Sequence, residues 1–194
     1  MARKSTRNTR GKIVNAAWKL FYEQGYEDTT VEEIIELSQT SKGSFYHYFD
    51  GKDALLSTLS TLFDEKYEEL QENFPEGMTA MDKLLFLNEE LFGMIENSIS
   101  MELLSRLLST QLTTNGEKHL LDHSRTYYRL LRKIIVEGQE KGELGKTLSA
   151  GEMVKLYALC ERALMYDWCL CGGDYSLVAY TDKMTPRFIE TLKA

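Results

Sequence analysis

Apolar residues recur along this chain at helical spacing, and no stretch alternates in the manner of a half-buried strand. Ile13, Ala17, Leu20 and Phe21 mark one face of a first helix over 9–24, and Gly25 is placed to end it in a left-handed conformation. Val31, Ile34 and Ile35 form the stripe of a second helix. Thr30 and Glu33 have the spacing of a capping box at its start, in which each side chain accepts a free backbone N–H of the other's residue. That helix ends near Ser38. Only Gln39 and Thr40 separate it from Ser41, the start of a short third helix over 42–48 anchored by Phe45 and Phe49. Two short helices joined by so tight a turn cannot run antiparallel and must cross steeply, so about 30–49 reads as a helix-turn-helix. Asp50 is placed to cap a fourth helix over 51–73, which stops before Pro75. Five more helices are predicted over 79–97, 100–110, 117–141, 150–172 and 177–192, with a second capping box at Ser149 and Glu152 and a stop at Gly172-Gly173. The prediction is an all-α protein of about nine helices.

Length and composition narrow the class. With 194 residues the chain can form one domain or two small ones, each with a real core. No run of 18 apolar residues offers a membrane span. The segment from Ile13 to Tyr22 is too short and, with Asn15 and Lys19, too polar for a signal peptide. Cys160, Cys169 and Cys171 are odd in number and clustered, so they are no disulfide framework, and a reducing cytoplasm is the expected compartment.

The formal net charge of −7 argues, as a whole-chain number, against a nucleic-acid partner, because phosphates repel a net anion. Its distribution alters that inference. Residues 1–52 hold 8 basic and 7 acidic side chains, whereas residues 53–194 hold 15 and 23. Arg3, Lys4, Arg7, Arg10 and Lys12 form a basic arm, and no acid precedes Glu23. The acidity belongs to the C-terminal three quarters.

Once Phe45 and Phe49 are assigned to the core, the third helix presents Lys42, Ser44, Tyr46, His47 and Tyr48. These are hydrogen-bonding and aromatic groups, not the Glu/Lys mixture of an ordinary solvated face. Gly43 allows close backbone approach. Ser41 opens a helix N-terminus suited to an anion, and Lys52 repeats the device at the fourth helix. This set suits double-stranded DNA: hydroxyls, phenols and lysines grip phosphates while the helix end presents side chains to base edges.

The stretch from Thr9 to Leu56 resembles the TetR family of transcriptional regulators. The resemblance rests above all on Thr29-Thr30-Val31-Glu32-Glu33-Ile34, Ser41-Lys42-Gly43-Ser44-Phe45-Tyr46-His47-Tyr48-Phe49 and Lys52-Asp53-Ala54-Leu55-Leu56. It implies that Thr40 and Ser41 lie at the turn and start of a recognition helix. It also implies that Lys42, Gly43, Ser44, Tyr46, His47 and Tyr48 face DNA, and that Lys52 contacts phosphate. Thr29 and Thr30 complete the candidate DNA-binding set. Where the family often has glycine or another small residue in the turn, this chain has Gln39, which predicts a tightened or re-angled turn. The expected organisation is a DNA-binding domain over 1–52, a three-helix head with its basic arm, and a helical-bundle domain for ligand binding and dimerisation over 53–194.

Within that second region, the helix over 150–172 is apolar on two sides, one stripe being Val154, Ala158, Met165 and Trp168 and the other Met153, Leu156, Cys160 and Leu164. The resemblance implies a four-helix seam between two copies, so Val154, Ala158, Met165, Trp168, Phe188 and Leu192 are candidates for a homodimer interface. Phe63, Tyr67, Phe86, Met101, Leu104, Tyr127, Tyr128, Tyr157 and Cys160 are candidates for the lining of a largely apolar effector site. A rival reading is a small metal-binding or redox protein using His119 and His123, four apart on a predicted helix, or Cys169 and Cys171. It lacks a third ligand and any complete nucleophile–base set. The expectation is therefore a regulator that is not an enzyme and has no metal or other cofactor. Its partners would be double-stranded DNA, a second copy of itself and an unknown small-molecule effector.

Overall fold

A computed structural model describes residues 2–113 and 118–193, with side chains described from Thr9 onward. The side chains of Arg3, Lys4 and Arg7, and Glu117 at the start of one predicted helix, lie outside that set. Among the described residues the chain is helical, with only an isolated bridge between Leu144 and Lys193. Its elements are α1 (Ala2–Gln24), α2 (Val31–Ser38), α3 (Lys42–Tyr48), α4 (Lys52–Leu56), α5 (Thr58–Glu72), α6 (Ala80–Ser98), α7 (Met101–Thr113), α8 (Thr126–Lys141), α9 (Ala150–Leu170) and α10 (Leu177–Glu190). The predicted fourth helix is thus α4 followed at once by α5. Ser57, Thr58 and Ser60 each turn a hydroxyl back onto a carbonyl three residues earlier, competing with the helical ladder at that joint. The cap of α4 is Gly51, without a side-chain hydrogen bond, and not Asp50.

The helix predicted over 117–141 begins only at Thr126. The Asp122 carboxylate accepts the Ser124 N–H at 2.8 Å and the Asp122 carbonyl accepts the Arg125 N–H, closing a turn where the ladder should have continued. Ahead of that turn, His119–Leu121 form a single 3-10 turn. Helix α1 begins at Ala2, earlier than the sequence pattern indicates.

Two compact units result: residues 1–61 with 102–114, and residues 62–101 with 115–194. The first packs α1, α2 and α3 around Ile13, Ala17, Phe21, Ile34, Phe45 and Phe49, with Leu103, Leu104 and Leu107 of α7 also buried. The second packs α6 against α8 and α10, and α9 against α8 and α10, over Leu84, Leu87, Phe92, Leu131, Ile135, Val154, Tyr157 and Ile189. Burying side chains of this size contributes about 1.5–3 kcal/mol each. The predicted capping boxes form at both α2 and α9, and Thr79 with Asp82 adds a third at α6.

Candidate nucleic-acid interface and effector core

The turn between α2 and α3 takes its shape from Gln39, whose φ of 53° and ψ of 42° lie in the left-handed region. Its N–H and that of Thr40 both bond back to the last carbonyls of α2. Gln39 therefore adopts the conformation that glycine would take without strain, which answers the expectation of a tightened or re-angled turn. Ser41 then caps α3, accepting the Ser44 N–H at 3.1 Å while its hydroxyl meets that of Ser44 at 2.9 Å. Phe45 and Phe49 are buried as predicted. Fixed from behind in this way, α3 leaves Ser41, Lys42, Gly43, Tyr46 and His47 exposed, with Ser44 and Tyr48 half-buried. Lys42 lies 3.4 Å from Glu32, an open pair that competing anions and salt weaken readily. The His47 and Tyr48 rings meet edge to face at 4.8 Å.

Three expected contact residues have other work. Thr29 is buried, its hydroxyl donating to the Gly25 carbonyl at 2.7 Å. Thr30 is exposed but engaged in the capping box, and the half-buried Thr40 shares a hydrogen bond with Ser38. The main correction concerns Lys52. Its ammonium donates to the carbonyls of Tyr26, Thr29 and Glu27 at 2.6, 2.9 and 3.2 Å and sits 4.2 Å above the Tyr26 ring. An ammonium has three protons, and all are spent inside the head. Lys52 clamps the α1–α2 turn and does not point outward at phosphate.

That turn is gripped from a second side by residues the sequence reading missed. Glu102 of α7 accepts the Tyr26 and Glu27 N–H groups at 3.1 and 3.0 Å, and Arg106 pairs with Glu27. The Tyr26 phenol donates to Asp53, and burial together with that carboxylate pushes its pKa up.

In the second unit, three of the candidate effector residues converge: Tyr67 of α5, Tyr127 of α8 and Tyr157 of α9. At their centre is Glu161, only 3% exposed, which sequence reasoning did not single out. It accepts from Asn88 of α6 at 3.0 Å and from Tyr127 at 2.6 Å. Thr185 of α10 donates to Asn88 at 2.8 Å, and Tyr157 donates to the Leu84 carbonyl at 2.7 Å. Burial pushes the Glu161 pKa up, opposed by the hydrogen bonds from Tyr127 and Asn88. Burial, then the nearby Glu161 charge, raises all three phenols. The Tyr67 hydroxyl is buried and has no hydrogen-bond partner among the described residues. The available signal was the position of Glu161 on the inward row of α9, one turn from Tyr157 and in line with Val154, Met165 and Trp168.

The remaining candidates are dispersed. Tyr128 is buried beside Tyr127 and donates to the Leu120 carbonyl, and Phe63 is buried. Phe86 is half-exposed against Phe74, Met101 and Cys160 are half-buried, and Leu104 is buried within the first unit. Val154, Ala158, Met165, Trp168 and Leu192 are buried within the protomer and so are not open to a second copy, while Phe188 is half-buried. A third row on α9 is open instead: Leu159, Tyr166 and Leu170, the last 75% exposed. Tyr180 and Met184 of α10 are exposed as well.

His119 and His123 do not share a helix face; His123 lies in a turn, stacked on Tyr128 at 4.4 Å. Cys169 is half-buried, and Cys171 is the exposed C-cap of α9. The Cys160 thiol is pushed up to about 11 by burial, opposite to what a reactive thiolate needs. Among the described residues no group of three His, Cys, Asp or Glu side chains is placed to hold a metal ion.

Comparison with known proteins adds the following. Residues 13–59 match the model of the bacterial regulatory proteins, tetR family. The fatty acid metabolism regulator protein of Bacillus subtilis is 22% identical across 89% of this chain and 90% of its own length. The HTH-type transcriptional regulator QacR of Staphylococcus aureus is 37% identical over 62 residues, 32% of this chain and 33% of that protein. Thermus thermophilus FadR, a TetR-family repressor solved with lauroyl-CoA, superposes with a TM-score of 0.72 at 23% identity, covering 93% of each chain. These relatives are regulators, not enzymes, and no helix among the described residues is long and apolar enough to cross a membrane.

Proposed function

We propose that this chain is a TetR-family transcriptional regulator, an effector-responsive repressor that binds a near-palindromic operator as a homodimer in the cytoplasm. The observation that carries the reading is α3. Its two aromatic anchors are buried and its first turn is capped from within, which leaves Ser41, Lys42, Gly43, Tyr46 and His47 outward with no structural task that needs all of them. A seven-residue helix so exposed has little reason to carry this set except a partner. In this reading residues 1–52 read DNA and residues 53–194 regulate and dimerise.

A second copy would meet the open row of Leu159, Tyr166 and Leu170 with Tyr180, Met184 and Phe188, and two-fold symmetry would then offer two recognition helices to successive half-sites. The regulatory step follows from linkage. An effector that binds better when the two heads are wrongly spaced must weaken DNA binding by the same factor. Helices α5 and α7 both carry the chain from one unit to the other, at 61–62 and 101–102, and α7 brings Glu102 and Arg106 to the α1–α2 turn. FadR of Thermus thermophilus, in complex with lauroyl-CoA, makes acyl-CoA thioesters one effector class to assay.

The test is selection of bound sites from random duplex DNA with the purified, effector-free chain, repeated for Lys42→Ala and His47→Ala. Enrichment of a two-fold symmetric site, with altered base preference in the variants, is the expected result. Failure to enrich any palindromic site refutes the reading.

A further inference from the structure

Arg10 stands beside the recognition helix without belonging to it. Ile13 and Ala17 are buried on the inward face of α1. Arg10 is one turn ahead of Ile13 on that same row and is exposed. Its guanidinium carbon lies 5.4 Å from the ring centroid of Phe49, the C-cap of α3, which is only 4% exposed. Phe49 packs in turn on Phe45, ring to ring at 6.0 Å. This stack places the Arg10 charge at the last turn of α3. Arg10 also precedes residues 13–59, which match the family model.

The other basic side chains described in residues 9–52 are engaged or face elsewhere. Lys19 pairs with Glu23 and Lys42 with Glu32, and Lys52 is turned inward onto three carbonyls. Lys12 lies about 200° further round α1 than Arg10, on its other side. The Arg10 guanidinium forms no ion pair or hydrogen bond with another described residue, the neighbouring Asp50 included. A guanidinium with its face on an aromatic ring keeps its five N–H donors, which lie in its plane, for an oxygen anion. Covering Phe49 accounts for the stem and the face of Arg10 and leaves those edges for a partner.

α3 has seven residues and is about 10 Å long, whereas the major groove is about 8.5 Å deep. With its first turn at the base edges, its last turn lies level with the phosphates at the rim of the groove. Resting on the DNA-binding reading above, we propose that Arg10 grips a DNA backbone phosphate beside the C-terminal end of α3, the role that the sequence reading gave to Lys52. Phe49 is the platform that fixes its register against α3. Such a contact positions the head and carries no base preference.

The experiment follows anisotropy of a duplex selected as above, from about 50 to about 200 mM salt, for the full chain and for Arg10→Ala, Arg10→Gln and Arg10→Lys, with a melting curve for each. Loss of one phosphate contact lowers the slope of log K against log salt by about 0.9 per head, or about 1.8 for two. Across that range, wild-type affinity should therefore change about tenfold more than that of Arg10→Ala or Arg10→Gln. Arg10→Lys keeps the charge and should keep the slope, while binding several-fold more weakly because an ammonium lacks the planar fork. Site selection with Arg10→Ala should return the wild-type sequence, unlike Lys42→Ala and His47→Ala. A purely structural role gives parallel salt lines for Arg10→Ala, with any loss of affinity following a lower Tm. That result overturns the proposal and leaves the DNA-binding reading intact, as does an altered base preference in Arg10→Ala. A wild-type chain that selects no duplex overturns both.

Discussion

Replacing Lys52 by alanine separates two roles that the sequence alone merges. The ammonium makes three hydrogen bonds to carbonyls, at 2.6, 2.9 and 3.2 Å, and a cation–π contact at 4.2 Å. Bonds of this kind are worth about 1.5–3 kcal/mol each when fully buried. Lys52 is half-buried, so water replaces part of what the variant loses, and a net loss of about 2 kcal/mol is the reasonable sum. For a chain of this size that corresponds to a fall in Tm of roughly 4–8 °C. DNA affinity should fall as well, because the α1–α2 turn that positions α2 and α3 loosens.

The salt dependence discriminates between the roles. A lysine that neutralises a phosphate contributes about 0.9 to the slope of log K against log salt, or about 1.8 for two heads. Between about 50 and about 200 mM salt, that loss would narrow the spread of affinities roughly tenfold. A clamp contributes nothing to the slope. The assay is anisotropy on a selected duplex across that range, for wild type and Lys52→Ala. Parallel lines, displaced to weaker binding, are expected. A slope reduced by about 0.9 or more per head would show that the ammonium leaves its three carbonyls for phosphate, and the clamp argument would fail.

Other consequences follow from the same geometry. Gln39→Gly relieves the left-handed backbone at φ 53° and should stabilise the chain by about 1 kcal/mol, read as a higher urea midpoint; a lower midpoint would show that the Gln39 side chain matters more than its strain. Gly138→Ala puts a Cβ 2.5 Å from that of Ala80 and 2.9 Å from Leu144, and neither backbone can yield cheaply, so about 1–3 kcal/mol should be lost in the same assay. On the proposed homodimer reading, Leu170→Arg places a charge on the open row of α9 and should shift sedimentation from dimer to monomer without lowering the Tm of the protomer; an unchanged dimer removes that row from the interface. Burial holds folded Glu161 protonated to a higher pH than in the unfolded chain, so its contribution is fully present below the ordinary value of 4.5 and declines as pH rises through the folded value. Glu161→Gln should flatten that decline in unfolding titrations from about pH 4 to about pH 8, and parallel curves for the two proteins would contradict it.

What the sequence disclosed was local. The capping boxes of α2 and α9, the anchors Phe45 and Phe49, and the two-residue turn before Ser41 all depend on groups within four residues of one another, so spacing was enough. The failures have longer range or subtler competition. The helix start at 117 was misplaced because the side chain of Asp122 outbid the helical ladder for the Ser124 N–H. Lys52 looked like a surface cation because its carbonyl partners lie 23–26 positions back. Glu161 is held by Asn88, 73 positions away, and Asn88 by Thr185, 97 positions away; one-turn periodicity marks the row but not its partners. Five of the six dimer candidates, all but Phe188, are buried within the protomer, because α9 carries three apolar rows and the two stripes drawn from periodicity omitted the row that the fold leaves open.

The charge distribution gains a sharper meaning from Lys52. With that ammonium turned inward and Lys42 beside Glu32, most of the remaining basic residues of 1–52 belong, by sequence, to the N-terminal helix, where Arg10 lies 5.4 Å over the Phe49 ring. One such head has few phosphate contacts to offer, while residues 53–194 carry an excess of acid. Affinity for arbitrary DNA is then low, because the non-specific part of binding grows with the number of phosphates neutralised. On the proposed two-headed reading, useful affinity appears only when both heads engage at once. A regulator so balanced needs little to release it: an effector coupled by about 1–3 kcal/mol to the wrong spacing changes occupancy by roughly 5–150-fold. The −7 charge therefore sets the margin within which a small molecule can act.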